Sequence, residues 1–233
     1  MTASSANLTV SVLRVFVDEA GEFGNLLGIV DGAAVSSDER QRVAAAIGYS
    51  ETVFVDDPDI GRVQIFTPAI ELPFAGHPTV GTAWWLRQQG HDAKRILTRA
   101  GPVDVTHDET LTWIRGRAEW TTPFEWHEMP DQQAVDTVDP ADYPGGPHYV
   151  WAWVDQAASR LRSRMFAPDL GIIEDEATGA AAIAFTDLQK RDLDIRQGRG
   201  SRIYTRWEGD GWARLGGRVV SEPSRTIGAE PGR

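Results

Sequence analysis

Short apolar runs broken by turn-forming residues fill the first third of the chain. Residues 13–17 and 26–30 are two such runs, and the polar, glycine-bearing stretch 18–25 between them predicts two strands with a turn-rich connection. A helical pattern follows. Ser36 and Glu39 stand at capping-box spacing, residues 43–47 are apolar or small, and Gly48 sits where a left-handed C-terminal cap belongs. Residues 52–55 and 63–67 then read as strands. Residues 78–89 predict a helix opened by Pro78 and stopped by Gly90, burying Ala83, Trp84 and Leu86.

The second half repeats this rhythm. Residues 96–105 and 111–120 predict strands, and 130–147, rich in Asp, Pro and Gly, predicts a loop. Residues 149–154 and 164–166 are further strands, 179–188 an alanine-rich helix, and 203–207 with 212–220 a closing strand pair. Residues 1–8 and the tail from Ser221 have no apolar periodicity and are expected to be mobile. Arg62, Phe66 and Pro68 recur one hundred residues later as Arg162, Phe166 and Pro168, and Thr79 and Ala83 recur as Thr178 and Ala182. Each copy runs strand, proline turn, polar loop, small-residue helix. The expectation is an α+β fold of two similar lobes, residues 1–106 and 107–233, the last strand free to return to the first lobe, with a cleft between two helix starts.

Composition narrows the function classes. The 233-residue chain carries a formal charge of −11 with no cluster of Lys and Arg, which argues against nucleic acid or an anionic membrane as partner. It has no cysteine, which excludes disulfides, zinc–thiolate sites and thiol nucleophiles. No stretch approaches the roughly 20 apolar residues of a membrane span, and residues 1–10 lack a signal-peptide pattern, so the expected place is the cytoplasm.

Three segments carry candidate chemistry. Glu51 opens an apolar strand, His77 follows a loop stiffened by Pro68, Pro73 and Gly76, and Glu174, Asp175 and Glu176 precede a helix. Each has a bland reading: a solvated strand-end acid, a buried capping histidine, acids complementing a helix dipole. Read together they make a site. Helix starts present free N–H groups that hold a carboxylate, and a glutamate beside them moves a proton on and off carbon, provided that burial raises its pKa.

The same segments carry a resemblance. Ser50-Glu51-Thr52-x-Phe54-Val55, the long block from Phe66-Thr67-Pro68 through Glu71-Leu72-Pro73-Phe74-Ala75-Gly76-His77-Pro78-Thr79 to Gly81-Thr82-Ala83, and Met165-Phe166-Ala167-Pro168 through Leu170-Gly171-Ile172 to Glu174-Asp175-x-Ala177-Thr178-Gly179 are similar to signature blocks of the PhzF-like family of phenazine-biosynthesis isomerases. The likeness spans residues 12–220. It implies the diaminopimelate-epimerase fold, each lobe a mixed or antiparallel sheet wrapped round a central helix, in a homodimer with no cofactor and no metal. It also implies Glu51, His77 and Asp175 as catalytic residues, and Gly76, Thr79, Thr178, Gly179 and Ala180 as binding residues. Departures are present: Ala180 stands where the phenazine enzyme has serine, Leu26 follows Gly24-Asn25 where proline is usual, residues 197–201 match the family only in part, and the stretch 101–165 is shortened. The expected function is a cofactor-independent isomerase or epimerase acting on a small carboxylate-bearing metabolite. A catalytically silent small-molecule-binding or structural homodimer of the same fold is the alternative, motivated by Ala180. A two-base racemase of the diaminopimelate or proline type uses a cysteine pair, which this chain lacks.

Overall fold

The computed structural model of the chain describes residues 7–228. Among these, fifteen strands and four α-helices alternate. The first half contains β1 (Leu8–Val17), β2 (Asn25–Asp31), α1 (Arg40–Ile47), β3 (Glu51–Asp57), β4 (Arg62–Phe66), β5 (Glu71–Leu72), α2 (Gly76–Gln88), β6 (Arg95–Thr98) and β7 (Gly101–His107). The second contains β8 (Thr112–Arg117), β9 (Glu125–Glu128), α3 (Gln132–Thr137), β10 (His148–Asp155), β11 (Arg160–Ala167), β12 (Ile172–Asp175), α4 (Gly179–Gln189), β13 (Leu193–Gln197), β14 (Ser201–Gly209) and β15 (Trp212–Ile227).

Thirteen of the strands form one hydrogen-bonded path, β1-β2-β3-β4-β6-β7-β8-β15-β14-β13-β11-β10-β9, with β5 added on β4 and β12 on β11, and β1 also pairs with β15. That last pairing closes the first eight members of the path into a ring. Helix α2 packs against β1, β2, β3, β6, β8 and β15 of that ring, and α4 packs against β8, β14, β15 and α2. Both helices are built from small residues on most sides, which lets strands approach all round them. Pairing senses recur along the path. From β2 to β8 they run parallel, antiparallel, parallel, antiparallel, antiparallel, and from β9 through β10, β11, β13 and β14 to β15 they run in the same succession.

Several sequence expectations change on folding. The tail is not loose as far as it is described: β15 runs to Ile227 and pairs with β1 from Arg218↔Val17 to Ile227↔Leu8. Polar side chains hid this strand because its stability comes from ladder hydrogen bonds and from Arg14 donating to Glu222 at 2.8 Å, not from an apolar run. At the other end Leu8 already opens β1, while residues 1–6 lie outside those described. The stretch expected as one strand at 96–105 is the hairpin β6–β7. The loop expected at 130–147 holds α3, whose start is capped by Asp131 accepting from Ala134 N at 2.8 Å. The Ser36–Glu39 capping box does not form. A turn occupies those residues, Glu39 is an α-region N-cap without a side-chain bond, and α1 begins at Arg40. Helix α2 starts two residues before Pro78, because Ala75 is extended and acts as N-cap.

Where β15 passes from its β8 and β14 partners to β1, Gly216 and Gly217 lie under the rings of Trp113 and Phe16. A Cβ at Gly217 would overlap the Phe16 ring, and Phe16 is fully buried at a bulge of β1 with φ 68°. Gly217→Ala is therefore expected to lower stability by roughly 1–3 kcal/mol. Gly146→Ala, in open space, should change it by less than about 0.5 kcal/mol. Urea midpoints of the two variants measure the contrast, and equal midpoints would show that the crossing tolerates a methyl.

Candidate functional site

Gly76 and Gly179 open α2 and α4, and the two helix starts abut. A Cβ on Gly76 would lie 3.0 Å from the Gly179 carbonyl carbon, and one on Gly179 would lie 2.8 Å from His77 N. Only glycine permits that approach from both sides. Neither start is capped by a side chain: the N-caps are Ala75, which has no hydroxyl, and Thr178, whose hydroxyl is used elsewhere. Two sets of helix-start N–H groups, each at the positive end of a helix dipole, are thus brought together.

Acidic side chains gather at this junction. Glu51, at the first position of β3, accepts from His77 in the first turn of α2, Oε2 to Nδ1 at 3.0 Å. The side chain of His77 is 4% exposed and that of Glu51 18%, so the pair is sheltered with one open edge. Asp175, at the end of β12, accepts from Asn25 Nδ2 at 2.6 Å and from the Thr178 hydroxyl at 2.5 Å. Gln197 Nε2 donates to Thr178 Oγ1 at 2.8 Å and to Asp175 O at 3.0 Å. The Ser50 hydroxyl lies 3.4 Å from Asn25 Oδ1 and also serves Glu51. The structure therefore brings Glu51, Gly76, His77, Asp175, Thr178 and Gly179 to one place, with Ala180 half-buried in the first turn of α4. Thr79 is placed otherwise. It is fully buried and gives its hydroxyl to Ala75 O at 2.7 Å, an internal bond of the helix start.

Hydrogen bonds behind these groups tie the two halves of the chain together. Gly24 N donates to Ser201 Oγ at 2.9 Å, and Ser201 donates to Glu176 at 2.8 Å. Asn25 and Gln197 bond to Asp175, Ser50 serves Glu51, and Ser201 stands behind them on Glu176, yet the sequence does not single these four out as site residues. Isolated Asn, Ser and Gln are common on any surface. The one available signal was position, since Gly24-Asn25 and residues 197–201 fall in stretches that resemble the family only in part. His77 Nε2 and Gln197 Oε1 are buried without a partner, two polar atoms left open at the junction.

The two carboxylates are pushed in opposite directions. Burial alone would raise Glu51, but the attraction and hydrogen bond of His77, with the Ser50 hydroxyl, outweigh it and hold Glu51 below the ordinary range. Burial and the neighbouring Glu51 charge raise Asp175 to about 6, against the opposing pull of Thr178, His77 and Asn25. The sequence expectation that Glu51 carries the raised pKa is thus reversed. Of two acids sharing one sheltered space, the one with the imidazole stays charged and the other takes up a proton already at mildly acid pH.

A stability consequence follows from the raised group. Asp175 binds its proton more tightly folded than unfolded, so between its ordinary pKa of 3.8 and about 6 the folded state holds the extra proton and stability falls as pH rises. Asp175→Asn removes that dependence while keeping shape. Its stability relative to wild type should rise by roughly 1–2 kcal/mol between pH 4.5 and 7. Thermal or urea unfolding at both pH values tests this, and a difference that stays flat with pH would mean that Asp175 is not shifted upward.

Known proteins resemble this chain in sequence and in fold. A family model described as "Phenazine biosynthesis-like protein" matches residues 13–142 and 145–206. The trans-2,3-dihydro-3-hydroxyanthranilate isomerase of Pseudomonas aeruginosa is 28% identical over 251 aligned positions, covering 86% of this chain and 90% of its own. That of Pseudomonas chlororaphis is 31% identical over 191 positions, 65% of this chain and 69% of its own. Among solved structures, a phenazine biosynthesis PhzF family protein from Enterococcus faecalis superposes with a TM-score of 0.76 at 19% identity, over 95% of this chain and 99% of that one. A hydroxyproline epimerase from Agrobacterium vitis superposes with a TM-score of 0.62 at 10% identity, over 96% and 92%; at such identities the structures speak for the fold. With most of its length matched, and with Glu51, His77 and Asp175 gathered at the meeting of two helix starts, this chain belongs to the phenazine biosynthesis-like protein family.

Proposed function

We propose that the protein is a cofactor-independent isomerase or epimerase that relocates a proton on a small carboxylate-bearing metabolite. The observation that carries this reading is the pair of acids with opposed proton affinities, Glu51 and Asp175, at two uncapped helix starts. The isomerases among its relatives support the reaction class.

In this reading the ligand carboxylate takes the N–H groups at the starts of α2 and α4, where the two dipoles favour an anion. Glu51, charged and backed by His77, removes a proton from carbon, and His77 balances the charge that moves. Glu51 then returns the proton to a different carbon of the same ligand. Its longer stem suits that reach. Asp175, which holds a proton at mildly acid pH, supplies a hydrogen bond to the electron-rich intermediate. Atoms balance because the proton leaves and re-enters the same molecule. The reading extends to the architecture: two pseudo-symmetric lobes, about 1–106 and 107–233, with β15 returning to the first, a site between them, and a homodimer working in the cytoplasm without metal at this site. The recurring pairing order of the strands supports the lobes.

Hydrogen exchange into the ligand is the decisive measurement. A panel of dihydroaromatic and amino-acid-like carboxylates is incubated with the protein in deuterium oxide and read by mass spectrometry. At least one member should gain deuterium on carbon. Glu51→Gln keeps size and polarity, so binding should persist while exchange falls by about 10²-fold or more. Exchange at the wild-type rate in Glu51→Gln would overturn the role given to Glu51. If no ligand exchanges although one binds, the chain is a binding protein of the same fold.

A further inference from the structure

On the outer face of the second half, away from Glu51, three side chains converge that the proposed reaction does not use. Glu125 and His127 alternate on β9 and so share one face, and His148 opens β10 directly opposite Glu125 in the parallel ladder. His127 Nε2 and His148 Nδ1 are 3.1 Å apart, His148 Nδ1 and Glu125 Oε2 are 3.5 Å apart, and all three donor atoms lie within 4.8 Å of one another. We propose that Glu125, His127 and His148 form a zinc-binding site that fastens the edge strand β9 to β10.

The chemistry of the donors supports this. His148 Nε2 donates to Pro144 O at 3.0 Å, because a carbonyl oxygen can only accept. In the neutral ring Nδ1 is then a lone pair aimed at the other two donors. A metal-bound histidine is held in this way, by its second nitrogen on a carbonyl. Zinc takes nitrogen at about 2.0–2.1 Å and carboxylate oxygen at about 2.0–2.2 Å in a tetrahedron, which puts neighbouring ligands roughly 3.3–3.5 Å apart. The spacings of 3.1 and 3.5 Å already lie near that edge length. Two imidazoles and one carboxylate also suit zinc better than magnesium or calcium, which favour oxygen. Without metal, His127 Nε2–H donates to His148 Nδ1. Zinc would bind the other neutral tautomer of His127, its hydrogen moved to Nδ1 and the Nε2 lone pair turned to the metal. The Tyr143 ring packs against both imidazoles, with centroids 5.1 and 5.7 Å away, and limits their rotation.

The site stands apart from the reaction proposed above. Trp126 and Tyr149, which alternate with the ligands, turn inward onto Phe185 of α4. The ligands turn outward. β9 ends the strand path and has β10 as its sheet neighbour, so a metal bridging the two would add a second fastening to a four-residue ladder.

Zinc titration of the full chain by calorimetry, after treatment with chelator, tests the site. One equivalent should bind saturably, and zinc should raise the unfolding temperature. His127→Gln and Glu125→Gln each remove one ligand from a partly exposed position and leave buried His148 on Pro144. Each should weaken binding by roughly tenfold or more, with proton-exchange behaviour at Glu51 unchanged. The inference is overturned if wild type takes up no zinc by about 1 mM, or if both variants bind it as wild type does, which would assign the metal to another histidine such as His91 beside Asp59.

Discussion

Two helix starts meeting glycine to glycine is the constraint on which the rest of this structure depends. Helix dipoles pointing positive ends at each other repel unless negative charge sits between them. Glu51 and Asp175 supply it from β3 and β12, and uncapped N–H groups leave room for a further anion. The close approach also dictates composition. Gly76 and Gly179 must lack side chains, and α2 and α4 must be small enough on most sides for strands to surround them. Both helices pack on β8 and β15 and on each other, which holds the two starts together.

Charge within this junction is divided unequally for a physical reason. Two buried carboxylates within electrostatic reach cannot both ionise cheaply. His77 chooses between them by contact, since its Nδ1 faces Glu51 directly and Asp175 only at longer range. Asp175 has strong donors of its own, Asn25 and Thr178, yet burial and the neighbouring anion prevail. One carboxylate of low and one of raised proton affinity thus arise from two chemically similar side chains, and raising one of them costs folding stability near neutral pH.

Position is held by the shell behind these groups. Gly24 to Ser201 and Asn25 to Asp175 link residues 177 and 150 positions apart in sequence, and Ser201 passes the tie on to Glu176. Gln197 holds both Thr178 and the Asp175 carbonyl, which fixes the N-cap of α4 without a side-chain cap on its N–H groups. Such links make the geometry of the acids a property of the whole domain and not of one loop.

How much was legible in the chain depends on whether local chemistry or distant pairing decides. Most strands with apolar runs, the helices α2 and α4, and the left-handed stop at Gly48 are local and stand where the pattern placed them to within a few residues, whereas 96–105 splits into two strands. Glu51, His77 and Asp175 stand out in the chain because they sit in distinctive blocks, Glu51 at a strand mouth and the other two beside helix starts, but that they meet is a tertiary fact. The tertiary structure alone decided what pairing decides. Residues 221–227 are a strand only because β1 offers them a ladder, and α2 begins at Gly76 only because Ala75 is held extended. Thr79 turns its hydroxyl to the backbone because that helix start is buried, and Asp175 rather than Glu51 takes the raised proton affinity because it is buried beside the Glu51 charge while His77 bonds to Glu51 alone. By itself the sequence determined which residues prefer helix, strand and turn, and which carry protons. Which of them meet was settled by long-range strand pairing, whose partners lie too far apart along the chain for any local pattern to record.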